Sequence, residues 1–174
     1  MLGSKLFGLE ATLAHELTHV ALQHLSMPLW LEEGFTQMFE HRLTGRQVLE
    51  VGTKLALRHK ENWSRRGLVA FWQGGGFVSP GKIQELSYQL AEILNRLLVA
   101  ESQPRWFGWV REPQRRFLAF VKNAKAEVCG RAACREHLGY DLGDLAAKFL
   151  GPGDWSPNLE KRDEPGPAEE IGDG

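Results

Sequence analysis

"HELTHVALQHLSMPLWLEEGFTQMFEH", residues 15–41, holds four histidines and four glutamates in an otherwise largely apolar run. His15 and His19 are four positions apart, with Glu16 beside the first. Residues four apart on a helix share a face, with Cβ atoms roughly 5–6 Å apart. Both rings can therefore aim a nitrogen at one ion, and zinc–nitrogen bonds of about 2.0–2.1 Å suit that span. Glu16 projects beside the ion without ligating it, where it can take a proton from a water held there, as the HExxH pattern on a helix requires. The same stretch sets the fold. An amphipathic helix carries the histidines, "SMPLW" breaks it because Pro28 disfavours helical geometry at Met27, and a second helix follows.

Outward from this hairpin, helical periodicity dominates. The first helix is expected from Ser4 to Leu25, with Leu6, Leu9, Leu13, Leu17, Val20 and Leu25 recurring at helical spacing. The second is expected from Glu32 to His41 and a third from Gly45 to Trp63. "WQGGGFVSPG", residues 72–81, reads as a loop, since consecutive glycines leave the backbone many conformations. Ser79 is the expected cap of a long helix, with Pro80 in its first turn. Along that helix Ile83, Leu86, Leu90, Ile93, Leu94 and Leu97 form an apolar stripe. Further helices are expected over Pro113–Ala126, Ala132–Leu138 and Leu142–Leu150. No alternating strand pattern occurs. The expected architecture is mainly α: one compact helical domain over residues 1–155 and a disordered acidic Pro/Gly tail over 156–174, most biased from Glu160 onward.

The bulk numbers agree with one globular domain. The chain has 174 residues, 43% hydrophobic and 25% charged, with a formal net charge of -1. That length supports one core. A balanced charge with no segregated basic block argues against a nucleic-acid footprint. No window is apolar enough for a membrane span. The N-terminus shows no secretory pattern, so the expected location is cytoplasmic. Cys129 and Cys134 in "CGRAAC" read as reduced thiols on one short helix, because a zinc ribbon needs a second cysteine pair. The glycines of "GGG" lack the lysine and spacing of a phosphate-binding loop.

Two histidines do not complete a catalytic zinc site, which takes three protein ligands and leaves a position open. "HELTH" followed by "LWLEEGF" resembles the gluzincin metallopeptidases, in particular the peptidase-MA-like group. The resemblance implies that the glutamate directly before glycine, Glu33, is the third ligand. Glu33 follows His19 by fourteen positions, a shorter gap than in thermolysin-like enzymes, so the connection must be tight. Glu32 then fits an acid at a helix start, favoured there by the macrodipole. In such families an acid on the second helix orients a ligand histidine. Gln37 stands where thermolysin-like enzymes have aspartate, which leaves Glu40 as the candidate. "ELSYQLAEILNRLL" resembles a later helix of the same group and implies Tyr88 as the oxyanion-stabilising phenol; a core tyrosine with a satisfied hydroxyl is the competing reading.

The implied activity is peptide hydrolysis with one Zn²⁺, Glu16 as general base and a peptide or protein as substrate. A non-catalytic or structural zinc module on the same scaffold is the alternative. The chain departs from the family in one respect. Gluzincins place a β-sheet before the HExxH helix, and its edge strand holds the extended substrate. Only fourteen residues precede His15 here. Two readings follow: an upstream segment or a partner supplies such a sheet, or the chain is a minimal helical protease whose substrate groove is made otherwise.

Overall fold

The computed structural model describes residues 2–45, 49–102 and 112–157. Among these residues every regular element is helical and no strand occurs. Helix α1 (Leu2–Leu22) closes in a 3₁₀ turn over Gln23–Leu25. Ser26 then takes left-handed backbone, φ 48°, which reverses the chain. Pro28, extended at φ -61° and ψ 143°, starts α2 (Leu29–Thr44), and its carbonyl accepts from the amides of Leu31 and Glu32. Helix α2 thus begins a turn earlier than the expected Glu32.

The third expected helix shrinks to α3 (Thr53–Asn62). Gly45, with φ 66°, ends α2 in the left-handed conformation that glycine adopts without strain. Residues 49–52 carry no regular structure, and 46–48 lie outside the described residues. Helix α4 (Arg65–Trp72) was not among the expected elements. Its signal is "SRRGLVAFW": the Ser64 hydroxyl accepts from the Gly67 amide, a side-chain N-cap, and buried Leu68, Val69, Phe71 and Trp72 follow. The expected glycine loop contains a helical turn, α5 (Gly75–Val78).

Ser79 does not cap the long helix. Its hydroxyl donates back to the Gly75 carbonyl at 2.8 Å, and Gly81, at φ 83°, precedes α6 (Lys82–Glu101). Among the described residues there follow α7 (Glu112–Asn123), a short α8 (Arg131–Ala133) continued by a π-helical turn over Cys134–Leu138, and α9 (Leu142–Leu150). A reciprocal capping box between Asp141 and Asp144 starts α9. Cys129 and Cys134 are free and buried. Only Cys134 is on the helical turn; Cys129, at φ 54°, precedes it.

Helix α6 is the axis of the core. Its Leu86, Leu90, Leu94 and Leu98 are fully buried. Trp30, at the start of α2, packs edge-to-face on Trp72 at 5.1 Å and donates from its indole to the Cys129 carbonyl at 3.1 Å. The Trp72 indole donates to the Trp155 carbonyl at 2.8 Å, which ties residues beyond α9 to the domain. Both indoles bury large apolar area with their one polar atom satisfied. The tail from residue 158, and Trp106 and Trp109, lie outside the described residues. Among the described residues no helix is long and apolar enough to cross a membrane.

Helix α1 departs from its sequence reading. Leu9, Leu13, Leu17 and Val20 are each more than half exposed, whereas Ala11, Ala14 and Thr18 are buried. The small residues face α2. They let the two helices approach closely enough for His15 and His19 to reach α2 side chains, and the leucine stripe is left on the outer face.

His59 is fully buried, and the Trp63 indole donates to its Nδ1 at 3.0 Å. Burial, reinforced by the Arg58 charge, depresses its pKa from 6.5 to about 4. The folded state therefore keeps this ring neutral while an unfolded chain begins to protonate near pH 6.5. The stabilisation is complete above pH 6.5 and is lost as pH falls toward 4. A shift of that size corresponds to about 3 kcal/mol. Urea unfolding at pH 7 and pH 4 should show that loss in the wild type and its absence in His59→Gln. Equal pH slopes in the two proteins would refute it.

Candidate metal centre

The tight α1–α2 hairpin sets the two helices antiparallel, so that His15 lies opposite Glu40 and His19 opposite Glu32. His15 Nδ1 is 3.2 Å from Glu40 Oε2, and His19 Nδ1 is 2.8 Å from Glu32 Oε1. An ionised carboxylate only accepts hydrogen bonds, so each Nδ1 carries the proton and donates. Each Nε2 is then left with a bare lone pair. These two Nε2 atoms face each other at 3.2 Å. Glu33 Oε2 lies 3.8 Å from Nε2 of His15 and 3.6 Å from Nε2 of His19. That oxygen is buried and accepts no hydrogen bond from the described residues.

With both rings in the neutral form, three electron-pair donors thus converge, an arrangement that a cation would relieve. His15, His19 and Glu33 form a group able to hold a metal ion. The nearest point equidistant from three atoms at the observed separations lies about 2.1 Å from each, within the range of zinc–nitrogen and zinc–carboxylate bonds. Carboxylates on the far ring nitrogens are the usual support of metal-bound histidines, since they fix the tautomer and the ring orientation.

The electrostatics point the same way. Between Gly8 and His41 the chain has Glu10, Glu16, Glu32, Glu33 and Glu40 and no lysine or arginine. Burial raises the pKa of Glu33 above the ordinary carboxylate value; the nearby His19 and His15 oppose that shift, and the charges of Glu32 and Glu16 add to it. A bound cation would supply the missing counter-charge.

The other sequence candidates fall around this centre. Glu16 is exposed on α1, and its charge is felt at Glu33. Tyr88 on α6 is half-buried, with its ring edge-on to Phe77 at 5.2 Å. Burial, and then the Glu33 charge, hold its phenol above the ordinary tyrosine range, so it stays protonated. Glu40 meets His15. Gln37 does not orient a histidine; its amide donates to the Tyr88 carbonyl at 3.1 Å and joins α2 to α6.

Glu32 corrects the sequence reading. It is no free helix-start acid but the partner of His19, half-buried at the hairpin. The available signal was its place in the first turn of α2, next to Glu33 and across a short connection from His19. His41 lies away from the centre, 3.7 Å from Glu92, and His24 is exposed.

Gly34 explains how Glu33 reaches the histidines. A Cβ at Gly34 would lie 2.0 Å from Asn95 Nδ2 and 2.5 Å from the Ala91 carbonyl. Only a glycine lets this turn of α2 sit against α6. Comparison with models of known protein families, with curated proteins and with solved structures finds no match to this chain.

Proposed function

We propose that this chain is a zinc-dependent metallopeptidase of the gluzincin kind. The observation that carries the reading is the convergence of His15 Nε2, His19 Nε2 and Glu33 Oε2, with both Nδ1 atoms already committed to carboxylates. Two imidazoles and one carboxylate suit zinc in a catalytic setting, where three protein ligands leave one position free. When bound, zinc lowers the pKa of a water to about 7 and polarises a carbonyl.

The chain's own residues supply the rest. Glu32 and Glu40 hold the ligand rings. Glu16, exposed beside the centre, takes a proton from the attacking water and returns it to the leaving amine. Tyr88 keeps its phenolic proton and can donate it as a hydrogen bond to the developing oxyanion.

A structural zinc site would close its fourth position with protein and would have no use for a base such as Glu16. The exposed Leu9, Leu13, Leu17 and Val20 favour a sheet, from an upstream segment or a partner, as the cover of α1 and the cradle of the substrate.

Elemental analysis of protein purified without added metal tests the reading. We expect about one zinc per wild-type chain and its loss in Glu33→Ala. A wild type that takes up no zinc, even when zinc is supplied, would refute it. Chelation separates the two roles of zinc: activity lost with the fold intact supports catalysis, and unfolding supports structure.

A further inference from the structure

Helix α6 buries polar groups where its periodicity calls for leucine. Glu92 is 2% exposed and Asn95 fully buried. With Tyr88 and Ala91 they occupy positions i, i+3, i+4 and i+7, the stripe that faces α2. Burying such groups is costly unless they find partners, and these partners lie on α2 and just past it as well as on α6 itself. Asn95 Nδ2 donates to the Trp30 carbonyl at 3.3 Å and to the Ala91 carbonyl at 2.9 Å. Its amide also lies against the Cα of Gly34. Glu92 Oε2 is 3.7 Å from His41 Nε2. Glu92 Oε1 is 3.8 Å from Arg96 Nη1, which in turn donates to the Leu49 carbonyl just past α2 at 2.6 Å. One clip therefore grips α2 before Glu33 and the other just after Glu40.

We propose that Asn95 and Glu92 are positioning residues for the metal centre. They fix the rotation and height of α2 on α6, so that Glu33 and Glu40 reach His19 and His15 together. Neither touches the histidines; both act through α2. The inference rests on the metal reading above, because positioning has meaning only if the centre holds an ion.

The test uses the whole chain as wild type, Asn95→Leu, Glu92→Gln and Leu94→Val. Leu94→Val is a control that loosens α6 at a fully buried site outside the polar stripe. Zinc affinity is read by competition with a chromogenic chelator, geometry by the visible absorption of the cobalt(II)-loaded protein, and folding by thermal unfolding. We expect zinc binding weakened at least tenfold in Asn95→Leu and Glu92→Gln, the range seen when support of a metal ligand is lost. The cobalt bands should change as well, whereas Leu94→Val should lower the melting temperature with wild-type bands and affinity. Wild-type metal behaviour in Glu92→Gln and Asn95→Leu, whatever their melting temperatures, would overturn the positioning role. A wild type that binds neither metal would overturn the metal reading and this inference with it.

Discussion

Glu16→Gln should keep about one zinc per chain and lower peptide hydrolysis by at least two orders of magnitude. General-base assistance contributes about 10²–10⁴-fold to such reactions. Glutamine copies the shape of glutamate but cannot accept the proton. Glu16 is exposed on α1. Its replacement should therefore change stability by no more than about 0.5 kcal/mol, as at ordinary surface positions. The Glu33 carboxylate loses one like charge nearby, which eases its ionisation, while the site loses one anion that would attract the ion, so the two effects on zinc affinity oppose each other. The measurement is the initial rate on a mixture of generic fluorogenic peptides, with zinc content determined on the same samples. Equal turnover by mutant and wild type would remove Glu16 from the mechanism. A parallel loss of zinc and activity would move Glu16 from the chemistry to the construction of the centre.

The centre was legible because it is local. His15, Glu16 and His19 lie within one turn or so of a helix, and helical geometry fixes their mutual placement without any knowledge of the fold. Glu33 was named by the family resemblance alone, and the tight reversal at Pro28 is what brings its carboxylate near the two rings. The all-helical class followed from periodicities that the long helix α6 carries through its whole length. What stayed hidden depends on packing. The leucines of α1 recur as perfectly as those of α6, and periodicity says that they share a face but not what that face meets. The small residues Ala11, Ala14 and Thr18 take the buried side of α1 instead. Ser79 and Gly81 were exchanged as the start of α6 for a similar reason. Serine before proline is a good cap in isolation, but α5 offered its hydroxyl a nearer carbonyl. Glu32 could be told from an exposed helix-start acid only by knowing how far α2 turns toward His19. The polar stripe of α6 was visible as Glu92 and Asn95, yet its meaning rests on which helix it faces.

Gly34→Ala should destabilise the domain by about 2 kcal/mol and weaken zinc, although alanine is the better helix former. The intrinsic gain of alanine over glycine inside a helix is about 0.8–1.0 kcal/mol. Against it stands a Cβ placed 2.0 Å from Asn95 Nδ2 and 2.5 Å from the Ala91 carbonyl. Overpacking a tight contact costs about 1–3 kcal/mol, and more where the neighbour cannot move. The Ala91 carbonyl is helical backbone and cannot swing aside, so the steric cost exceeds the propensity gain. For a domain of this size a loss of 2 kcal/mol lowers the melting temperature by roughly 4–8 °C. The alternative to strain is for α2 to ride outward on α6. That displaces Glu33, the neighbour of the mutated residue, from the two Nε2 atoms and lowers zinc affinity. The double variant Gly34→Ala with Asn95→Ala separates the two obstacles. Removing the Asn95 amide relieves the nearer clash and leaves the one with Ala91. Stability should return in part, and zinc affinity less, because the bond to the Trp30 carbonyl is gone as well. Thermal unfolding and chelator competition on wild type, Gly34→Ala and the double variant read both effects. A neutral or stabilising Gly34→Ala would mean that propensity prevails and that α2 does not sit as close to α6 as the fold describes.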